Sequence, residues 1–249
     1  MNSNSAGLSS QNPVPEPSRS PRPASQGSRS GQRRSTRSEA TRTQILNTSR
    51  VLFNDHGTAA VSTNRIAAEL GISPGNLYYH YSGKRDIIRD LLAEMIDQYA
   101  LHWEQGGHAD QGLDLEHLRQ GMLRGGELAW RYRFFGRELV ALLRADSELA
   151  AVYREAYQHR MAQWSAAAEQ LVAQGLLQPR SPLADLTAAV WLVTENWFTF
   201  LEITGEADRP EKVSPEKVAA QLDVVFAVLE PHLSPAARQL WKDLDRNEA

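Results

Sequence analysis

The sequence predicts an all-α protein, on three observations. Every long segment repeats its apolar residues at helical spacing, most plainly Tyr153, Tyr157, Met161, Trp164, Ala168, Leu171 and Val172. No run alternates apolar and polar residues as a half-buried strand would, and no internal repeat competes. The segments are punctuated by helix caps, with Ser, Thr or Asp before them and Gly or Pro after. At 249 residues and 41% apolar content the chain can bury a substantial core in one large or two modest domains. It contains no cysteine, which excludes disulfides, thiolate metal sites and cysteine nucleophiles. No apolar run of about 18 residues is present to span a bilayer, and the N-terminus lacks the apolar core of a signal peptide. No membrane is therefore expected, and the cytoplasm is the expected compartment.

The net charge of −3 conceals an asymmetry. Residues 1–44 hold seven arginines against Glu16 and Glu39, a net of +5. Residues 1–35 are rich in Ser, Pro, Gly, Gln and Arg, with Leu8 and Val14 as their only sizeable apolar side chains, and read as a disordered basic tail that cannot offset its ordering entropy. Thr36 and Glu39, spaced as in a capping box, open a helix that runs to Gly57 with Ile45, Leu52 and Phe53 on its buried face.

The stretch Val61–Lys84 reads as a helix-turn-helix. Ser62 is a natural N-cap, Ile66, Ala67 and Leu70 recur at helical spacing, and Gly71 supplies a left-handed stop. Pro74 then suits the first turn of a second helix, where its missing N–H has no intrahelical partner. With Ile72 and Leu77 packed back on Ile66 and Leu70, the second helix turns Gly75, Asn76, Tyr78, Tyr79 and His80 outward. Two tyrosines, an amide and a histidine followed by Lys84 have the chemistry to meet base edges and phosphates in a major groove.

From Thr41 to about Leu92 the chain resembles the DNA-binding domain of the TetR (tetracycline repressor) family of bacterial transcriptional regulators. The resemblance is carried by Ile45, Leu46, Leu52, Phe53 and Gly57, by Ser62, Thr63, Ile66, Ala67, Leu70, Gly71, Ile72 and Ser73, and by Leu77, Tyr78, Tyr79, His80, Tyr81 and Lys84. It implies a domain of residues 36–84 that binds double-stranded DNA, with Thr63, Tyr79 and Lys84 on phosphates, Gly75, Asn76 and Tyr78 near base edges, His80 on the backbone, and Ser73 among the contacting set. Arg33, Arg34 and Arg37 either reach into an adjacent minor groove or form a solvated tail. The long basic tail, and Ser82 and Gly83 in place of bulkier residues, depart from common family usage.

Ser82 or Gly83 can cap a connecting helix, residues 85–104, with Ile87, Leu91, Ile96 and Tyr99 along one side. Gln105–Gly112 is a polar loop and the expected domain boundary. Residues 114–249 read as helices over Leu115–Phe134, Arg137–Ala145, a third capped by Ser147, then Pro182–Thr204, Pro215 to before Pro231, and a last short one over 234–246.

The helix from Pro182 is apolar almost all round, so it needs cover on several sides. The resemblance implies a homodimer through this helix and the next, with Trp191, Trp197, Phe198, Leu201 and Val225 at the interface, and a C-terminal domain that binds a small-molecule effector. Trp103, Trp130, Phe134, Tyr153, Tyr157 and Trp164 can line an apolar cavity or belong to ordinary core. Glu195 and Asn196, polar within an apolar helix, either face that ligand or meet a partner at the interface or solvent edge. His102, His108, Asp110, Glu116 and His117 gather near the glycine loop, but their spacing matches no ligand motif, so no metal or other cofactor is expected. No nucleophile elbow, phosphate loop or paired-carboxylate signature occurs. The expected protein is an effector-responsive repressor, homodimeric on a pseudo-palindromic operator, and not an enzyme. The alternative is a helical enzyme or small-molecule carrier retaining an unused helix-turn-helix.

Overall fold

The computed structural model describes residues 27–106, 114–205 and 215–248, and among these residues ten α-helices and no strand occur. Residues up to Glu39 form one unit and Ala40–Ala249 another. Helix α1 spans Gly27–Ala60 and so begins upstream of the cap expected at Thr36. Residues 27–35, expected as tail, are helical here because no proline lies between Pro23 and the end of α1 and the arginines of this stretch are good helix formers. The rest of that expected tail, residues 1–26, lies outside the described residues. Gly57 kinks α1 at φ 76° and ψ 155°, and a Cβ there would also stand 2.9 Å from Glu138 Oε1, so the position demands glycine twice over.

Four further helices follow the kink: α2 (Thr63–Glu69), α3 (Pro74–His80), α4 (Lys84–Gly106) and α5 (Leu115–Arg131). They are succeeded by α6 (Arg133–Ala145), α7 (Ser147–Ala173), α8 (Leu183–Ile203), α9 (Pro215–Leu229) and α10 (Pro235–Glu248). Ile45, Phe53, Ile66, Leu77, Ile87 and Leu91 from the first four helices are buried in one cluster with Leu128, Tyr132, Phe134 and Leu149. Residues 36–84 thus share a core with α5 to α7, and the packing is continuous across the boundary drawn at residues 84 and 85. A second core joins Leu115 and Met122 of α5 to Leu171, Leu186, Val190, Val225 and Trp241. The C-terminal end is pinned to the α7–α8 connection by Gln178 N–H donating to His232 O at 2.6 Å and Ser234 N–H to Leu176 O at 2.9 Å.

Two element ends differ from the sequence reading. The break between α5 and α6 falls at Tyr132 (φ −116°, ψ 31°) and not around Gly136. Gly136 lies inside α6, where a Cβ would approach Thr199 Oγ1 of α8 to 3.5 Å, so this glycine admits a neighbouring helix and does not stop its own. The cap of α7 is Asp146, whose carboxylate accepts the N–H groups of Glu148 and Leu149, both at 3.1 Å, while Ser147 is already helical.

Asp146 also ties α7 to α4. Arg89 grips its two oxygens at 2.8 Å each, and the bond from this guanidinium, with the α7 amides, holds the carboxyl down at about 2 against burial. A carboxyl whose folded pKa lies below its unfolded value of about 3.9 stabilises the fold above that value and loses the contribution as pH falls toward the folded one. Asp146→Asn should therefore lower the melting temperature at neutral pH by an amount matching about 1–2 kcal/mol, and flatten the decline in melting temperature between about pH 4 and 2. Thermal unfolding followed by circular dichroism across that range checks it. A variant with the parental slope would show that other carboxylates govern acid stability.

Candidate functional site

The reading head is set by two caps and a left-handed turn. Ser62 Oγ accepts the Arg65 N–H at 3.2 Å and opens α2, and Gly71 at φ 66° turns the chain after it. Ser73 Oγ accepts the Asn76 N–H at 3.2 Å and opens α3, with Pro74 in its first turn. The Ser73 hydroxyl, expected among the DNA-contacting groups, is thus engaged in its own helix cap. Burial of Ile66, Ala67 and Leu77 fixes the roll of both helices and leaves Gly75, Asn76, Tyr78 and Tyr79 on the outside. Tyr78 is 52% and Tyr79 80% exposed. The Tyr78 hydroxyl shares a 3.2 Å hydrogen bond with Thr63 Oγ1, while the half-buried His80 stands edge-on to Tyr79 with ring centroids 5.1 Å apart. Arg65 and Arg85, exposed at the ends of this surface, add cations that the sequence reading did not single out. Their signal was their place flanking the helix-turn-helix.

Tyr81, just past α3, braces the head from behind. Its hydroxyl donates to Asp90 Oδ2 at 2.8 Å and accepts from Arg42 Nε at 3.1 Å, and burial pushes its pKa up so that it remains a donor. Lys84 also faces inward. Its ammonium donates to Val61 O at 3.0 Å and to Thr58 O, which leaves at most one of its three N–H donors for the phosphate expected of it. The same turn is held from α6, because Glu138 accepts the Thr58 N–H at 2.9 and 3.2 Å and the Thr58 hydroxyl. One turn along α6, Asn54 Oδ1 accepts the Phe134 N–H at 3.1 Å, Asn54 donates to Arg131 O at 2.9 Å, and Arg133 pairs with Asp55 at 3.0 Å. The chain leaving α1 is therefore clamped between α4 and α6 immediately before the reading head. Arg33, Arg34 and Arg37 lie in α1, with side chains outside the described residues.

Between α4, α5, α7 and α8 lies a cavity of about 650 Å³ including its mouth. Trp164 and Glu195 border it, together with Tyr99, Arg160, Trp191 and Gly125. A second space of about 520 Å³ shares Tyr99, Arg160 and Glu195 and reaches Tyr153, Arg133 and Arg137. Tyr153 donates its hydroxyl to Glu195 Oε1 at 3.1 Å; burial, then the Glu195 carboxylate, raises its pKa and keeps it a donor. Burial raises the Tyr99 phenol to about 12, with Arg160 acting against the rise.

Other expected pocket residues lie elsewhere. Phe134 is fully buried against Phe53, with ring centroids 5.4 Å apart, because the Asn54 bonds draw the start of α6 onto α1. Trp130 packs on Phe198 at 5.3 Å beneath the Arg133 guanidinium. Tyr157 stands edge-on to Trp191, and Asn196 is exposed, donating to Leu192 O at 3.0 Å within its own helix. The side chain of Trp103 lies outside the described residues. Tyr99, Arg160 and Trp191 were missed as cavity residues. The available signal was Gly121, Gly125 and Gly126, a cluster of glycines inside a helix that costs propensity and removes side chains from one face.

The expected interface residues are largely covered within the chain itself. Trp191, Phe198, Leu201 and Val225 are buried, and Trp197 is half-buried with its Nε1–H donating to Lys217 O at 2.9 Å. What α8 exposes instead is Leu192, Phe200 and Ile203. Among the described residues no group of three or more His, Asp or Glu could hold a metal ion, and no helix is long and apolar enough to cross a membrane. His117 pairs with Asp114 at the start of α5, Glu116 occupies its first turn, and the side chains of His102, His108 and Asp110 lie outside the described residues.

An outward-facing helix-turn-helix, carried on a helical domain, defines a DNA-binding transcriptional regulator. Residues 45–91 match the family described as bacterial regulatory proteins, tetR family, and residues 98–240 match its C-terminal domain, described as bacterial transcriptional repressor. The chain belongs to the TetR family: it is a transcriptional regulator of the DNA-binding repressor type and not an enzyme. It is similar to a TetR-family transcriptional regulator from Marinobacter aquaeolei VT8, with 31% identity, a TM-score of 0.73, and coverage of 83% of this chain and 98% of that one. A curated HTH-type transcriptional regulator of Staphylococcus aureus is 39% identical over 54 residues, a match of 22% of this chain that spans only 29% of that protein's length. A transcriptional regulator from Saccharomonospora viridis in complex with choline shares the fold at a TM-score of 0.60 and 17% identity, over 76% of this chain and 96% of that one.

Proposed function

We propose that this regulator acts in the cytoplasm as a homodimer on a pseudo-palindromic operator and is controlled by a small molecule bound between α4, α5, α7 and α8. The observation that carries the DNA-binding half is the exposure of Tyr78, Tyr79 and Asn76 on a helix whose opposite side is locked by Leu77. Exposed phenol rings beside an amide suit base edges and phosphates, and neither ring belongs to the buried core. In this reading Asn76, Gly75 and Tyr78 lie near base edges. Thr63, Tyr79 and the remaining Lys84 donor meet phosphates, with Arg65, Arg85 and the arginines of α1 adding sequence-independent attraction. The effector half is supported by the cavity itself and by the choline held in the regulator of the same fold.

The test is a mobility shift on the DNA upstream of the gene. Tyr79→Ala should weaken operator and non-operator binding alike, by about tenfold, since a phosphate contact carries no sequence information. Asn76→Ala should instead narrow the preference for operator over non-operator by about 1–3 kcal/mol. Parental affinity and preference in both variants would remove the assignment of α3 as the reading helix.

A further inference from the structure

We propose that the cavity is built for an organic anion with an apolar tail, a carboxylate amphiphile whose head pairs with Arg160. This rests on the effector-responsive reading above and adds the chemical class. The Arg160 guanidinium lies 4.3 Å from the Tyr99 ring centroid and 5.1 Å from that of Trp191. The ring faces hold the plane of the cation, and the Tyr99 hydroxyl can take one of its five N–H donors, which leaves in-plane donors for a bidentate pair with a carboxylate. Among the described residues no carboxylate comes within 4.0 Å of Arg160. The other two arginines that border the adjoining space are paired, Arg133 with Asp55 at 3.0 Å and Arg137 with Glu202 at 3.5 Å. Glu195 opens on the same space, where its Oε1 receives the Tyr153 hydroxyl, and it lies beyond ion-pair distance of Arg160. Arg160 is therefore the cavity arginine whose charge meets no carboxylate among the described residues. The aromatic faces that would cage a ligand ammonium already hold a cation, which turns the specificity of the cage from cations to anions.

The rest of the ligand follows from what adjoins the charged end. A third space of about 520 Å³ including its open mouth, walled by Leu118, Leu171 and Val190, shares Met122 and Trp164 with the first. A tail running from Arg160 past Trp164 would enter an all but apolar chamber. Gly125 leaves room in the first cavity: a Cβ there would stand 3.6 Å from Tyr99 Cε1, an ordinary contact, so the protein's own packing does not require a glycine at this mid-helix position.

Decanoate, decanol and decyltrimethylammonium, titrated onto the full chain with tryptophan fluorescence and operator release read in parallel, separate the possibilities. Decanoate should bind at least about tenfold tighter than either of the others, the effect of one charge-assisted pair. Arg160→Gln should remove that advantage and leave decanol unchanged, whereas Glu195→Gln should tighten decanoate. Gly125→Ala, which strengthens α5 and narrows the first cavity, should weaken decanoate without unfolding the protein. Binding of none of the three, preference for the ammonium or the alcohol, or an Arg160→Gln variant with parental decanoate affinity would overturn the assignment. Decanoate binding with the expected charge preference but without operator release leaves the anion site standing and sinks the effector-responsive reading. Release by the ammonium or the alcohol does the reverse.

Discussion

Ile203→Glu, combined with Leu192→Glu, is expected to give a folded monomer that no longer holds a full operator. Leu192, Phe200 and Ile203 are 62%, 51% and 79% exposed and fall within one face of α8, beside the exposed Val224 of α9. Full burial of each such side chain stabilises an interface by about 1.5–3 kcal/mol, and a twofold axis makes every contact twice. A glutamate at Ile203 replaces that gain with a carboxylate that must be desolvated in both copies at once. Two reading heads spaced about 34–36 Å apart bind as one unit only when the dimer holds them together, so full-site affinity should fall roughly 100-fold or more while half-site contacts survive. Light scattering gives the size and a mobility shift the affinity. Trp197→Glu, the choice suggested by sequence alone, would test something else, since its indole is bonded to Lys217 O inside the subunit and the charge would disturb the α8–α9 packing. A dimer of unchanged size in the double variant would show that this stripe is not the interface.

The contrast between Trp197 and Ile203 marks where sequence stops informing. The helix-turn-helix was legible almost to the residue because its signals are local: Ser62 and Ser73 as caps, Gly71 as the left-handed turn, Pro74 in the first turn, and Leu77 setting the roll of α3. Periodicity likewise found α7 and the apolar character of α8. Which side of an all-round apolar helix meets its own subunit is a long-range fact. Trp191 meets Tyr157 and Trp164, and Phe198 meets Trp130, through partners 27 to 68 positions away. The expected gap between Phe134 and Arg137 contains Gly136, which lies inside α6 and admits Thr199 of α8, while the break at Tyr132 has no local marker. Lys84 was read outward for its charge, and only the fold brings the carbonyls of Thr58 and Val61 to its ammonium. The cavity was half legible, since aromatics can be counted but the charge that decides ligand class, Arg160, looks in sequence like any surface arginine.

Glu138→Ala should uncouple effector from operator while leaving both sites intact. One route for the proposed effector control runs along α4, from Lys84 beside the reading head to Tyr99 at the cavity. The geometry adds a second and shorter route. The first turns of α6 border the adjoining cavity through Arg133 and Arg137, and on their other side Glu138 takes the N–H and hydroxyl of Thr58 at the turn that leads into α2. A ligand that displaces the start of α6 would draw Glu138 from Thr58 and leave the turn held by Lys84 only. Hydrogen bonds to a charged acceptor contribute about 1.5–3 kcal/mol each, so the variant should also lose about 2 kcal/mol or more of stability. Coupling of 1–3 kcal/mol, roughly 5- to 150-fold in operator affinity, is typical of such linkage and must appear reciprocally as weaker ligand binding in the presence of DNA. In Glu138→Ala both numbers should fall toward one, and Gly57→Ala, whose Cβ would press on Glu138 Oε1 from a strained φ, should move them the same way. Ligand affinity measured with and without operator on parent and variant decides it. If the two affinities differ as much in Glu138→Ala as in the parent, α6 is a brace only and the signal passes along α4.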